Sequence, residues 1–225
     1  MTMTPDDGTK YTNHLPPFCN DELEIIYSDD EIVVVDKPAG LLSVPGRILK
    51  DSVFQRLLYE YADLSVVHRL DLDTSGLMVL TTSKEAVSDL NRQFREQRVS
   101  KLYEALVYGE MIDEEGEIRL PISPDPDNRP LQLIDPENGK LSLTRFTLEE
   151  KHDGYSRLTL KPVTGRSHQL RIHLSGIGFP ILGCDLYAHQ AAYEARSRLC
   201  LHSKSLSFWH PVTKKRIDFC SSVPF

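Results

Sequence analysis

Asp71 lies between Arg69 and a second acid, Asp73, in the run Val66-Val67-His68-Arg69-Leu70-Asp71-Leu72-Asp73-Thr74-Ser75-Gly76-Leu77-Met78-Val79-Leu80. An imidazole, a guanidinium and two carboxylates share one short polar stretch flanked by apolar residues. A carboxylate kept ionised by a neighbouring cation beside an apolar core is suited to act as a nucleophile or a base. The same residues also fit a structural ion pair between Asp71 and Arg69, with Asp73-Thr74-Ser75-Gly76 as a capped turn, because such pairs perturb carboxylates as readily as active sites do. Residue chemistry alone leaves both readings open.

The flanking runs say what must hold Asp71 in place. Val66-Val67 and residues 77–80 have the apolar, partly β-branched character of strands buried on both faces, and Asp73-Thr74-Ser75-Gly76 is rich in turn formers. Asp71 is therefore expected where a strand gives way to a loop. Upstream, residues 23–27 and 32–36 predict a hairpin around Ser28-Asp29-Asp30, running into the loop Lys37-Pro38-Ala39-Gly40-Leu41-Leu42-Ser43-Val44-Pro45-Gly46-Arg47, which by local chemistry is a Pro/Gly surface loop. Asp51 or Ser52 can cap a helix to about residue 61 with Val53, Leu57 and Tyr61 on one face.

Downstream, Ser83 caps a helix over residues 84–97 with Val87, Leu90 and Phe94 inward. Arg92 and Arg95 on its outer side, followed by Arg98 and Lys101, have a spacing that could track a phosphate backbone or simply form a solvated face. Residues 101–109 alternate as a strand, with Tyr103, Ala105 and Val107 on one side. Residues 116–120 and 141–149 read as strands around a Pro- and Asn-rich connection, 121–139, which holds Asn128-Arg129-Pro130. Residues 155–162 form another strand, leading into Thr164-Gly165-Arg166-Ser167-His168-Gln169-Leu170-Arg171. Ser167 is positioned to cap the next helix, whose Leu170, Leu174 and Ile177 share a face. A short helix at 191–198 and a hairpin of 199–208 with 216–219 complete the reading.

Three of these stretches resemble one family. His68-Arg69-Leu70-Asp71-x-x-Thr74-Ser75-Gly76, Lys101-x-Tyr103-x-Ala105-x-Val107-x-Gly109 and Gly165-Arg166-x-His168-Gln169-Leu170-Arg171 are similar, in order, to the signature motifs of the RluA-type pseudouridine synthases, and Lys37-Pro38-x-Gly40-Leu41 resembles a further family segment. The resemblance spans residues 24–225. It implies an α+β fold, a mostly antiparallel, bent β-sheet with flanking helices and a central cleft, in a catalytic domain over residues 23–225 preceded by a mobile acidic arm, 1–22. It implies that Asp71 is the catalytic residue, that Tyr103 packs on the target uracil and helps remove its C5 proton, that Arg171 pairs with Asp71, and that Arg69, with His68, fills the space left by a flipped base. Arg166 and His168 are assigned to phosphate positioning or helix capping rather than catalysis. The chain has no room for the S4 domain that many relatives carry, which points to the subgroup acting on both an anticodon-loop uridine of tRNA and a loop uridine of 23S rRNA. No metal, organic cofactor or obligate protein partner is implied.

The formal charge of -7 runs against an RNA partner until it is located. Residues 1–31 hold eight acids and one base, so residues 32–225 are neutral overall, and five more acids fall within 110–117. The remaining surface is net positive and can present a basic face. Cys19, Cys184, Cys200 and Cys220 are scattered and are expected to be reduced thiols. No apolar run approaches the roughly 20 residues that span a bilayer, and the first residues lack a signal-peptide pattern, so a cytoplasmic protein is expected.

Two other functions fit part of the sequence. Asp71-Leu72-Asp73-Thr74 matches the Asp-x-Asp-x-Thr nucleophile motif of magnesium-dependent haloacid-dehalogenase phosphatases, although their late acidic pair is missing from its expected place. A non-catalytic RNA-binding module that has kept the fold is the other alternative.

Overall fold

Alternation along two neighbouring strands organises the centre of the molecule. In β2 (Ile32–Lys37) Val33 and Val35 enter one core while Ile32 and Val34 enter another. Its antiparallel partner β4 (Ser75–Thr81) repeats the pattern, with Met78 and Leu80 in the first core and Leu77 and Val79 in the second. Both strands are buried on both faces, which explains their nearly continuous apolar composition. The structure is a computed structural model describing residues 18–225, so most of the expected arm lies outside the described residues. At its end, Cys19 and Asp21 accept hydrogen bonds through their carbonyls from Arg56, at 2.6 Å each.

Among the described residues eleven strands form one sheet. Completing the set are β1 (Glu24–Ser28), β3 (Ser65–Val66), β5 (Ser100–Tyr108), β6 (Glu115–Pro124), β7 (Gln132–Ile134), β8 (Lys140–His152), β9 (Tyr155–Pro162), β10 (Leu201–Trp209) and β11 (Arg216–Cys220). The order is β1-β2-β4-β10-β5-β9-β8-β6-β7, with β3 on β4 and β11 on β10. The fold is α+β, as the resemblance implies, and the pairings are antiparallel except β4 with β10. Bulges in the β1–β2, β5–β10 and β8–β9 ladders shift register, a device that bends strands.

That parallel pairing explains Gly76. Its φ is +111°, and a Cβ there would lie 2.4 Å from the Ser203 carbonyl oxygen of β10. The glycine is required by close backbone approach, and Ser75 and Gly76 begin a strand rather than completing the expected turn. The helices α1 (Val53–Leu57), α2 (Lys84–Arg95), α3 (Gln169–Gly176) and α4 (Gln190–Glu194) flank the sheet. Ser52 rather than Asp51 caps α1, accepting from Gln55 N at 3.1 Å, while Asp51 pairs with Arg56. Ser83 caps α2 as expected, accepting from Ala86 N at 3.2 Å. Its buried residues are Ala86, Leu90 and Gln93, with Phe94 partly buried against the second core. Gln93 bonds both the backbone N–H and carbonyl of Trp209, tying α2 to β10.

Ser167 does not cap α3. The N-cap position is His168, with φ of +54° and no side-chain cap bond, and Ile177 falls beyond the helix end. The helix entrance is fixed instead by Gln169, whose side chain accepts from Arg166 N and Thr164 Oγ1 and donates to Leu143 O and Thr144 Oγ1. The 121–139 connection contains the end of β6 and all of β7. No helix among the described residues is long and apolar enough to cross a membrane, and all four cysteines are free thiols.

Candidate active site

The loop from β3 to β4 carries Asp71, and backbone bonds to a second loop hold it. Ser43 Oγ donates to Leu70 O at 2.7 Å and accepts from Leu70 N at 3.0 Å. Gly40 N donates to Leu72 O at 3.0 Å. The Lys37 ammonium, fully buried, donates to Pro38 O, Leu41 O and Leu72 O at 2.9, 2.7 and 2.8 Å. Burial draws the Lys37 pKa down to about 7, against Asp73 and Asp71, which raise it. Only the ammonium has the three protons needed to serve all three carbonyls. At the far end of the loop, Ser75 Oγ accepts from Arg198 at 2.6 Å and bonds His202 Nδ1 at 2.8 Å. The loop that local chemistry alone would leave on the surface is therefore a clasp on the residues around Asp71. Lys37 and Ser43 carry out this clasping, a role the sequence reading did not give them; its available signal was a lysine opening a Pro/Gly loop directly after an apolar strand.

Asp71 stands in the wall of a cleft of about 1150 Å³, larger than the roughly 300–1,000 Å³ typical of small-molecule pockets. Tyr103 of β5, Arg69, His168 and Arg171 line the same cleft. Tyr103 is 9% exposed. Burial pushes its phenol up to about 12, assisted by the Asp71 charge and opposed by a bond with Ser203. At neutral pH the phenol is protonated, offering a ring face and a donor.

The expected pair between Arg171 and Asp71 is not formed. Arg171, 2% exposed, bonds Asp185 at 2.5 Å and Cys184 Sγ at 3.4 Å, and its guanidinium lies 5.7 Å from the Tyr187 ring centre. Burial alone would lower its pKa, yet Cys184, Asp71 and Asp185 hold it above the ordinary arginine value. Arg171 therefore lines the same cleft as Asp71 while its side chain is bonded to Asp185 and Cys184. Nor does Arg69 form the ion pair with Asp71 that residue chemistry allowed; it is exposed in the cleft wall. Among the described residues, the group at ion-pair distance from Asp71 is His168, with Nε2 3.9 Å from Oδ1.

His68 is part of the wall rather than an open contact. Its Nε2 accepts from Val79 N at 3.0 Å and its ring stacks on Phe94, centroids 4.8 Å apart. Burial and then Lys101 lower its pKa to about 3, so it is neutral. The basic stripe expected on α2 divides: Arg95 lines the cleft, whereas Arg92 pairs with Asp89 at 2.5 Å and does not. Arg166 and the Arg129-Pro130 segment reach the cleft from two further loops.

A family model described as RNA pseudouridylate synthase matches residues 31–176. The chain is 42% identical over 218 residues to the dual-specificity RNA pseudouridine synthase RluA of Pasteurella multocida, covering 96% of this chain and 98% of that one. To the protein of the same name from Vibrio parahaemolyticus it is 49% identical over 195 residues, 84% of this chain and 78% of that one. Human RNA pseudouridylate synthase domain containing 1 superposes with a TM-score of 0.77 at 29% identity, covering 93% of this chain and 86% of that one. The phosphatase alternative, carried by four residues, gives way to a match over most of the chain. With its signature motifs gathered around one cleft, the chain belongs to the RluA-type RNA pseudouridine synthases.

Proposed function

We propose that this pseudouridine synthase acts on loop uridines in two RNAs, an anticodon-loop uridine of tRNA and a loop uridine of 23S rRNA, with Asp71 engaging the ribose. The observation that carries the reading is the position of Asp71: a carboxylate on a loop clasped at Leu70 and Leu72, opening into a cleft that also holds Tyr103. Two targets agree with the words "dual-specificity" in the names of relatives 42–49% identical to this chain.

The reaction conserves atoms. The N1–C1′ bond breaks, a C5–C1′ bond forms, the C5 proton leaves and N1 gains a proton. No electron carrier is called for. Asp71 acts either by attacking C1′ or by taking the C2′ proton, and both routes begin with the carboxylate at the sugar. The uridine must first leave its stack, at a cost of roughly a few kcal/mol that is smallest in a loop. Arg69, exposed in the cleft wall, takes the vacated space, and Tyr103 packs on the flipped uracil. A neutral phenol is a poor proton acceptor, so packing and hydrogen-bond donation suit Tyr103 better than direct removal of the C5 proton. Arg171 supports the Asp71 charge, and Arg95 and Arg166 meet phosphates at the rim. Working on these RNAs, the protein would be cytoplasmic, with its catalytic domain over residues 23–225.

The test is tritium release from uridine C5 in tRNA and in 23S rRNA fragments, assayed in EDTA. Release from both RNAs is expected. Release from one alone would reduce the reading to a single target, and binding of both without release from any cellular RNA would favour the non-catalytic module.

A further inference from the structure

His168 occupies a position that its expected phosphate or capping role does not explain. It sits in the left-handed region at φ of +54° and makes no side-chain cap bond to α3. Non-glycine residues adopt that region infrequently. Gln169 anchors the backbone on either side through Thr164, Arg166, Leu143 and Thr144. The imidazole is thereby turned into the cleft, with Nε2 3.9 Å from Asp71 Oδ1.

The opposite ring nitrogen defines the proton. His168 Nδ1 is 2.8 Å from Tyr187 Oη, and the same oxygen accepts from Gln132 N at 2.9 Å. With its oxygen already serving the Gln132 N–H, Tyr187 has one hydrogen to place, and Nδ1 is the acceptor in line for it. Burial pushes the Tyr187 phenol up to about 12, so that hydrogen stays on. Burial lowers the His168 pKa, with Arg171 and Arg69 acting in the same direction and Asp71 and Asp185 opposing. A neutral ring that accepts at Nδ1 must carry its proton at Nε2.

We propose that His168 is a positioning residue for Asp71: the chain Gln132 N–H, Tyr187 O–H, His168 fixes the Nε2–H tautomer and aims that N–H at the carboxylate. The inference rests on the reading of Asp71 given above. At 3.9 Å the contact is too long for a hydrogen bond; it closes when RNA fills the cleft, as catalytic contacts commonly tighten on substrate binding. One carboxylate oxygen is then held by His168 and the other faces the sugar. Gln132 lies two residues beyond Pro130, so the segment lining the cleft mouth also supports the tautomer.

Nitrogen-15 spectra of histidine-labelled protein near pH 7.5, with the His168 signals assigned by their loss in His168→Gln, read the tautomer directly. A bare Nδ1 and a protonated Nε2 are expected; a protonated Nδ1 would overturn the proposal. Single-turnover rates at saturating tRNA supply the second arm. Tyr187→Phe, which keeps the ring and removes the donor, should slow the step roughly 10- to 100-fold while RNA affinity stays within about twofold. His168→Gln, which retains an N–H donor, should be faster than His168→Leu. If Tyr187→Phe and His168→Leu react at the wild-type rate while Asp71→Asn is inactive, His168 has no positioning role and the Asp71 reading stands. If Asp71→Asn itself reacts at the wild-type rate, both readings fall.

Discussion

Around Asp71 the loop is bonded on each side: the Leu70 backbone to Ser43, the Leu72 carbonyl to Gly40 and Lys37, and the Ser75 hydroxyl to Arg198 and His202. At the rim, Arg69, Arg95, Arg129 and Arg166 are exposed side chains from four separate segments, and among the described residues no ion pair ties them down. The floor holds Asp71, the proposed reacting group, in one geometry, while the rim leaves cations able to follow differently shaped RNA loops. The two-target proposal calls for both. Chemistry tolerates little displacement, whereas phosphate contacts work at several angles and carry little sequence information.

Breaking the floor should have the largest effect. Lys37→Met leaves three buried carbonyls without their donor, at about 1–3 kcal/mol each when unsatisfied, so a loss of at least about 3 kcal/mol is expected in denaturant unfolding. A loss below 1 kcal/mol would mean that the clasp is not structural. Ser43→Ala removes one group that both donates to and accepts from Leu70; about 1–3 kcal/mol is expected, with a fall in single-turnover rate at saturating RNA. An unchanged rate would separate the clasp from catalysis.

Acid should weaken the floor before it touches the rim. The folded pKa of His68, about 3, lies below the ordinary histidine value of 6.5, and burial also lowers those of His168, His173 and His202. The unfolded chain therefore takes up protons that the folded chain refuses, and the His68 contribution is complete above pH 6.5 and lost as pH falls towards 3. Between pH 7.5 and 5.0 Tm should fall, and by less in His68→Gln. A Tm independent of pH over this range contradicts the burial argument.

Rim substitutions should give the smallest changes. Arg166→Ala or Arg95→Ala should raise KM a few-fold, leave kcat nearly unchanged and reduce the salt slope of binding by about 1. Arg92→Ala, whose guanidinium is held by Asp89 away from the cleft, is the control that should do nothing. A matching loss in Arg92→Ala would move the RNA path onto the outer face of α2.

Local pattern revealed most of the floor's scaffold and little of its bonding. Alternation located β5 and β9, the hairpin around Ser28-Asp29-Asp30 located β2, and Ser83 correctly marked the start of α2, because those features depend on neighbouring residues. Gly76 looked like a turn residue, since its reason is the backbone of Ser203, far away in sequence. Arg171 was assigned to Asp71 through a family likeness, but its partner, Asp185, follows in a loop whose approach no periodicity encodes. Lys37 read as the entrance to a surface loop because its three acceptors are main-chain carbonyls, which any sequence supplies. Ser167 had the composition of a cap, yet Gln169 side-chain bonds and the left-handed turn at His168 determine that helix entrance. The motifs identified the residues of the site; tertiary bonding decided what each one touches.

If Asp71 performs the chemistry rather than merely holding RNA, its loss must stop the reaction and spare binding. Single-turnover tritium release by Asp71→Asn at saturating tRNA, with RNA affinity measured on the same preparation, tests this directly. Affinity within about twofold of wild type and a rate lowered by at least about 10⁴-fold are expected. Release at the wild-type rate with normal binding would contradict that role for Asp71.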